Sequence, residues 1–130
     1  MAIALPRPEL EAYREVTRLA FPQVVAQLQT VLGERLIAYL AGVVETRRVR
    51  LWAAGKERPR TPGVEERLRM ALRIALLMAK ADAPSVVQSW FWGLNPELDD
   101  RTPAKLLREG ELEEVGPEVL GAARAFVADG

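Results

Sequence analysis

The sequence predicts an all-α fold, and three observations predict it. Ala and Leu dominate, β-branched residues are sparse, and no stretch alternates at period two for long. Apolar residues instead recur three and four positions apart, and the breaks between these stripes fall at Pro and Gly. With 130 residues, 49% apolar and 28% charged, the chain has the size of one domain and the composition of a globular rather than a disordered protein.

The elements follow in order. A first helix starts near Pro8, with Glu9 and Glu11 in its first turn, and its stripe reads Leu10, Tyr13, Val16 or Thr17, and Ala20. Pro22 restarts the chain. Val24, Val25, Leu28, Val31 and Leu32 form a second stripe, closed by Gly33. A third, short helix holds Leu36, Ile37 and Leu40 and stops near Gly42. A fourth runs over about 45–54 and ends at Gly55. Residues 56–63, with two Pro and one Gly, break any helix. The most apolar helix follows, over about 64–81. Its spacing through Val64, Leu68, Ala71, Ala75 and Met78 suits either a dimer seam or the centre of a single bundle. Its second half is apolar nearly all round, which favours the bundle centre. Beyond Pro84, Val86, Val87, Trp90 and Phe91 lie on one helical side, followed by Trp92. Asn95 and Pro96 mark a turn. Thr102 and Pro103 open a short helix that buries Leu106 and Leu107 and ends at Gly110. A last helix spans about 115–127, with Val119, Leu120, Ala123 and Phe126 as its apolar face.

The chain contains no His and no Cys. That removes disulfides, thiolate chemistry, the usual proton shuttle, Ser-His or Cys-His nucleophiles and a zinc site. The nearest approach to paired catalytic carboxylates is Asp99-Asp100, which reads as a turn before the next helix. No catalytic residue, metal or cofactor is therefore expected, and the chain is not expected to be an enzyme. Arg7, Glu9, Glu11, Glu15 and Arg18 interrupt the first 20 positions, and no apolar run approaches the ~20 residues of a membrane span. A cytoplasmic protein with no membrane contact is the expectation.

The net charge of zero hides a polarity. Residues 1–90 carry 14 Lys/Arg against 9 Asp/Glu, and residues 91–130 carry 4 against 9. The basic excess peaks at 45–60, with Arg47, Arg48, Arg50, Lys56, Arg58 and Arg60 against Glu45 and Glu57. Two surfaces with different partners would produce this split, and so would solvated helix faces.

Residues 31–58 place two short helices around a tight turn at Gly42 and Val43, the layout of a DNA-binding helix-turn-helix. Ala41, Gly42, Val43, Val49, Trp52 and Gly55 resemble the recurring A-G-V…V…W…G of the Xre (phage-repressor-like) family. The gap from Gly42 to Trp52 is one residue longer than in the commonest Xre sequences, which leaves two registers open for the recognition residues. With Val49 centred on the buried side at about 100° per residue, Thr46, Trp52 and Ala53 face or flank the core. Arg47, Arg50 and Leu51 then face outward, with Arg48 to one side. Arg47 and Arg50 are the candidates for base edges, Leu51 for a thymine methyl, and Arg48, Lys56 and Arg58 for phosphates.

The acidic third carries a second resemblance. Trp90 or Trp92, then Asn95-Pro96-Glu97-Leu98, Arg101-Thr102-Pro103, Leu106 to Gly110 and the closing Val119 to Phe126 are similar, in that order, to the toxin-binding domain of the Xre/MbcA/ParS antitoxin family. The resemblance implies an all-α helical bundle containing an Xre-like helix-turn-helix, with a small C-terminal toxin-binding module sharing the core. The corresponding segments are 1–60, a connecting core helix at 61–82, and 83–130. It also implies an antitoxin of a type II pair, which covers a partner toxin and represses its own operon. The partner of such proteins is often a RES-domain toxin that consumes NAD. Trp92, Asn95, Leu98, Arg101 and Phe126 are the partner-binding candidates, and operator DNA and the cognate toxin are the expected partners. A homodimer is expected, through the 64–78 spacing or the N-terminal helices, because paired half-sites give specificity that one module lacks. A stand-alone transcription regulator and a non-DNA-binding interaction adaptor are the alternatives.

Overall fold

A computed structural model of the chain describes residues 7–129, whose regular elements are helices, with no strand among them. The elements are α1 (Arg7–Arg18), α2 (Phe21–Val31), α3 (Glu34–Ala41), α4 (Thr46–Ala53), α5 (Val64–Ala79), α6 (Pro84–Trp92), a 3-10 turn (Pro96–Leu98), α7 (Pro103–Glu109) and α8 (Leu112–Asp129). Among the described residues, no helix is long and apolar enough to cross a membrane.

The breaks fall where local chemistry puts them. Ala20 precedes α2 in an extended conformation, Pro22 sits in the first turn, and the Gln23 side chain accepts the Ala20 N–H at 3.1 Å. Gly42 closes α3 with φ of 76°, a left-handed conformation that glycine adopts without steric cost. The Val43 N–H then returns to the Ala38 carbonyl at 3.0 Å. Gly110 serves a different need. A Cβ there would collide with the Val115 side chain and lie 2.9 Å from the Leu106 carbonyl oxygen, so α7 can turn into α8 only over a bare backbone. Thr102 occupies the N-cap position of α7, but its side chain makes no capping hydrogen bond.

Helix α5 is the axis of the bundle. It packs against α1, α2, α3, α6, α7 and α8. One continuous cluster of buried side chains runs from Val16 to Ala123 and draws on all three sequence segments. Val64, Leu68, Ala71, Ala75 and Met78 are all 2% exposed or less. The spacing that also suited a dimer seam is therefore spent inside the chain, where each large apolar side chain contributes about 2 kcal/mol by leaving water. That part of the dimer expectation is corrected.

Other expectations are corrected in detail. Helix α1 turns Glu9, Ala12 and Val16 inward, one position away from the Leu10–Tyr13 stripe, because the buried carboxylate at position 9 finds a cationic partner in Arg124. Ala20 lies outside α1 altogether. Val86 points to solvent while Val87, Trp90 and Phe91 are buried. Helix α8 starts at Leu112 and carries Pro117 inside it, where the hydrogen bond to the Glu113 carbonyl is forgone.

Candidate functional site

The basic segment is held from beneath. Val49 (0% exposed) and Trp52 (2%) anchor α4, and the Trp52 ring lies 6.4 Å from that of Phe21 on α2. Helix α4 packs on α2 and α3 across the 42–45 turn. Its period then carries Arg47 and Arg50 to the exposed side and leaves Arg48 and Leu51 half-buried. The helical wheel sorts Arg47, Arg48 and Arg50 this way, but Leu51, placed outward by the wheel, is half-buried.

The wheel did not give the counter-charges. The Arg50 guanidinium donates to Glu34 on α3 at 2.9 Å, Arg48 to Glu57 at 3.4 Å, and Arg58 to Glu65 on α5 at 2.7 Å. Among the described residues, Arg47, Lys56 and Arg60 form no ion pair. The patch thus has Arg47, Lys56 and Arg60 uncommitted and three arginines held by carboxylates. These pairs are largely exposed, so each is weak and open to competition from another anion. Leu51 is partly covered, and its carbonyl accepts the N–H of Lys56 at 2.9 Å. Val44, at the tip of the turn, is 97% exposed and was not singled out from the sequence. Val43 and Val44 have equal apolarity, and only the turn geometry decides which one faces out. A hollow of about 310 Å3 lies beside the turn, with Arg48, Arg58, Arg60 and Thr61 around Trp52. The Trp52 indole N–H is buried there without a hydrogen-bond partner.

The second candidate region forms where the chain leaves α6. The Asn95 side chain accepts the Glu97 N–H at 2.9 Å, its own N–H donates to the Arg101 carbonyl, and its carbonyl accepts from Asp100 at 2.8 Å. Asp99 and Asp100 take φ of 56° and 61° to close this loop. Arg101 donates to the Leu98 carbonyl at 2.7 Å and to Glu118 on α8 at 3.0 Å. Leu98 is 1% exposed and belongs to the core. Two partner-binding expectations are corrected accordingly. Leu98 is unavailable to a partner, and the Asn95 side chain is spent on the loop, because a seven-residue loop with its ends bridged needs one apolar plug and one turn-forming amide. Arg101 keeps a half-exposed guanidinium. Phe126 is half-buried, 6.4 Å from Trp90.

Of the three aromatics at 90–92, Trp90 and Phe91 are buried against each other, and only Trp92 is exposed. Trp92 meets the ring of Tyr39 on α3 edge-on at 5.0 Å, and the Arg108 guanidinium of α7 lies 4.5 Å from that same ring. Arg67 sits nearby, donating to the Leu40 carbonyl. Burial first, and then the Arg108 charge, push its pKa down from the usual arginine value. Leu94 is 75% exposed and lies between two hollows, one beside Arg101, Lys105 and Leu106, the other beside Trp90, Ala122 and Phe126. The sequence reading missed it, since a leucine between Gly93 and Asn95-Pro96 belongs to no helical stripe. Trp92 and Leu94 are the exposed large apolar side chains that follow one another where the chain leaves α6, with Arg101 and Lys105 bordering one hollow beside Leu94 and Asp129 the other.

No family model, curated protein or solved structure matches the chain.

Proposed function

We propose that the chain is an antitoxin that covers a partner toxin with its α6–α8 end and binds operator DNA with α4. What carries the reading is one arrangement: Val49 and Trp52 lock α4 by its inner face, which leaves Arg47 and Arg50 on its outer one. A short helix presenting guanidinium groups after a tight turn suits the major groove, where Arg pairs bidentately with guanine O6 and N7. Trp92 and Leu94 support the second half of the reading. Large apolar side chains exposed near charges are what an interface uses as anchors, while the rim charges steer encounter.

The carboxylates on Arg48, Arg50 and Arg58 favour a second reading, an interaction adaptor that does not bind DNA. A salt titration of binding to the chain's own upstream DNA separates the two. The antitoxin reading expects binding that weakens steeply with salt and is lost in R47A/R50A. It also expects growth rescue when the chain is co-expressed with a toxin encoded beside it. DNA binding without rescue leaves a stand-alone regulator, and rescue without DNA binding leaves the adaptor.

A further inference from the structure

The geometry points to an arginine-binding site at the end of the bundle: the hollow between the 3-10 turn and the end of α8 takes one arginine side chain of a partner protein, with Glu97 and Asp129 at its guanidinium and the Trp90 N–H on its backbone. The inference rests on the antitoxin reading for the identity of that partner and deepens it by naming what the partner presents.

The hollow holds about 320 Å3. Its α8 side is Ala122, Ala125, Phe126 and Asp129, spaced so that they fall on one face of the helix. Two methyl side chains leave the space, Phe126 lines it with an aromatic ring, and Asp129 adds a carboxylate. Glu97, from the 3-10 turn, brings a second carboxylate, and the exposed Leu94 stands beside it. Trp90 completes the lining, its ring 6.4 Å from that of Phe126. Trp90 is 9% exposed, and its indole N–H is buried without a hydrogen-bond partner. Among the described residues, neither Glu97 nor Asp129 forms an ion pair, and no cation lines the hollow.

These groups select the occupant. Two free carboxylates beside an aromatic ring favour a cation with a flat face. A guanidinium is such a cation: it lies on a ring while its N–H groups reach carboxylate oxygens. The stem of an arginine side chain takes the apolar wall of Leu94, Ala122 and Ala125. A small free cation would leave the Trp90 N–H as it is, a buried donor with no acceptor. A protein partner brings the acceptor with it, because every arginine in a chain has peptide carbonyls beside it. The charge balance agrees. Residues 91–130 carry 9 Asp/Glu against 4 Lys/Arg, so this end of the chain attracts a basic surface.

Nuclear magnetic resonance of the isotope-labelled full chain tests this, since each of the three tryptophans gives its own indole N–H signal. The Trp90 signal is the one absent from W90F, or the one left when W52F and W92F have identified the others. Capped tripeptides with arginine, norleucine or glutamate between two alanines are the probes. The arginine peptide is expected to move the Trp90 signal saturably, the norleucine peptide only weakly and the glutamate peptide not at all. E97Q/D129N changes two exposed side chains and is expected to weaken the arginine peptide about tenfold. A125L fills the hollow and is expected to abolish the movement. In cells, E97R/D129R is expected to lose growth rescue from the toxin encoded beside the chain, with its thermal midpoint unchanged. A Trp90 signal that stays fixed with the arginine peptide, or moves equally with norleucine, overturns the site. Rescue retained in E97R/D129R overturns the toxin as the source of the arginine. A wild type that gives no rescue overturns the antitoxin reading instead, and the peptide titration then decides the site by itself.

Discussion

Glu9 and Arg124 stand 115 positions apart and form a two-pronged ion pair, with Arg124 Nη2 2.6 Å and Nε 2.9 Å from the two Glu9 carboxylate oxygens. Glu9 is 1% exposed, whereas the Arg124 side chain is half-exposed. The bond ties the first described helix to the last. The hydrogen bond from Arg124 holds the Glu9 carboxyl below its usual pKa. Burial opposes it, and the charges of Arg124 and Arg73 assist it. The same bond raises the pKa of Arg124.

A carboxylate with a lowered folded-state pKa stabilises the protein above its unfolded value, and the benefit is lost as pH falls through the folded value. The thermal midpoint is therefore expected to hold from neutral pH down to about the usual glutamate range and to drop below it. E9Q is expected to flatten that acid limb. R124A leaves the carboxylate buried without its partner and is expected to cost about 2–3 kcal/mol, below the figure for a fully buried pair because Arg124 is partly in water. Thermal melts between about pH 3 and pH 7, a range that spans the ordinary glutamate titration, check both.

Removing the C-terminal third is a harsher version of the same experiment. A fragment ending at Asp82 loses α6, α7 and α8, and with them the contacts of α8 on α5 and of α7 on α3. It also leaves Glu9 without Arg124. The fragment is expected to show no cooperative melt by circular dichroism. A sharp transition in it would mean that 1–82 holds a core of its own and that the bundle is divisible.

The helices and the inward side of α4 were legible because their cause is local. Val49 and Trp52 are apolar at helical spacing, and Gly42 stands where a left-handed residue is needed. What was not legible depends on partners distant in sequence. Glu9 reads as a solvated acid until Arg124 is placed beside it. Glu34 lies 16 positions before Arg50, and only the crossing of α3 over α4 joins them. Leu98 and Leu94 are identical residues four apart in one loop. Residue type cannot tell which is core and which is surface; the bridge between Asn95 and Arg101 decides it.

The pairs on the basic segment make a prediction that the bare charge count would not. If α4 binds DNA, Glu57 competes with phosphate for Arg48, and Glu34 competes with a base edge for Arg50. E34Q and E57Q are then expected to tighten binding to the upstream DNA. E57Q is expected to steepen the dependence of log affinity on log salt by about 0.9 for each phosphate newly neutralised, and E34Q to leave that slope unchanged. On the same premise R47A is expected to cost about 1–3 kcal/mol of binding and to relax preference at one base pair, because Arg47 has no ion pair to leave. Fluorescence anisotropy at several salt concentrations checks both, and an unchanged slope in E57Q would mean that Arg48 does not reach the backbone.

Leu94 and Leu98 give the matching test at the other end of the molecule. Leu98 fills the loop's core, so L98A is expected to lower stability by about 2–5 kcal/mol through the cavity it leaves. Any loss of partner binding should follow the loss of fold. Leu94 is three-quarters exposed and W92A removes only an edge contact with Tyr39, so L94A and W92A are expected to shift the thermal midpoint little. If the α6–α8 end covers a toxin, each should nonetheless weaken neutralisation, because exposed apolar anchors carry most of an interface's energy and water fills their place once they are removed. Melting curves and growth rescue measured on the three variants side by side separate the two effects. Full rescue by the L94A/W92A double variant would place the partner surface elsewhere.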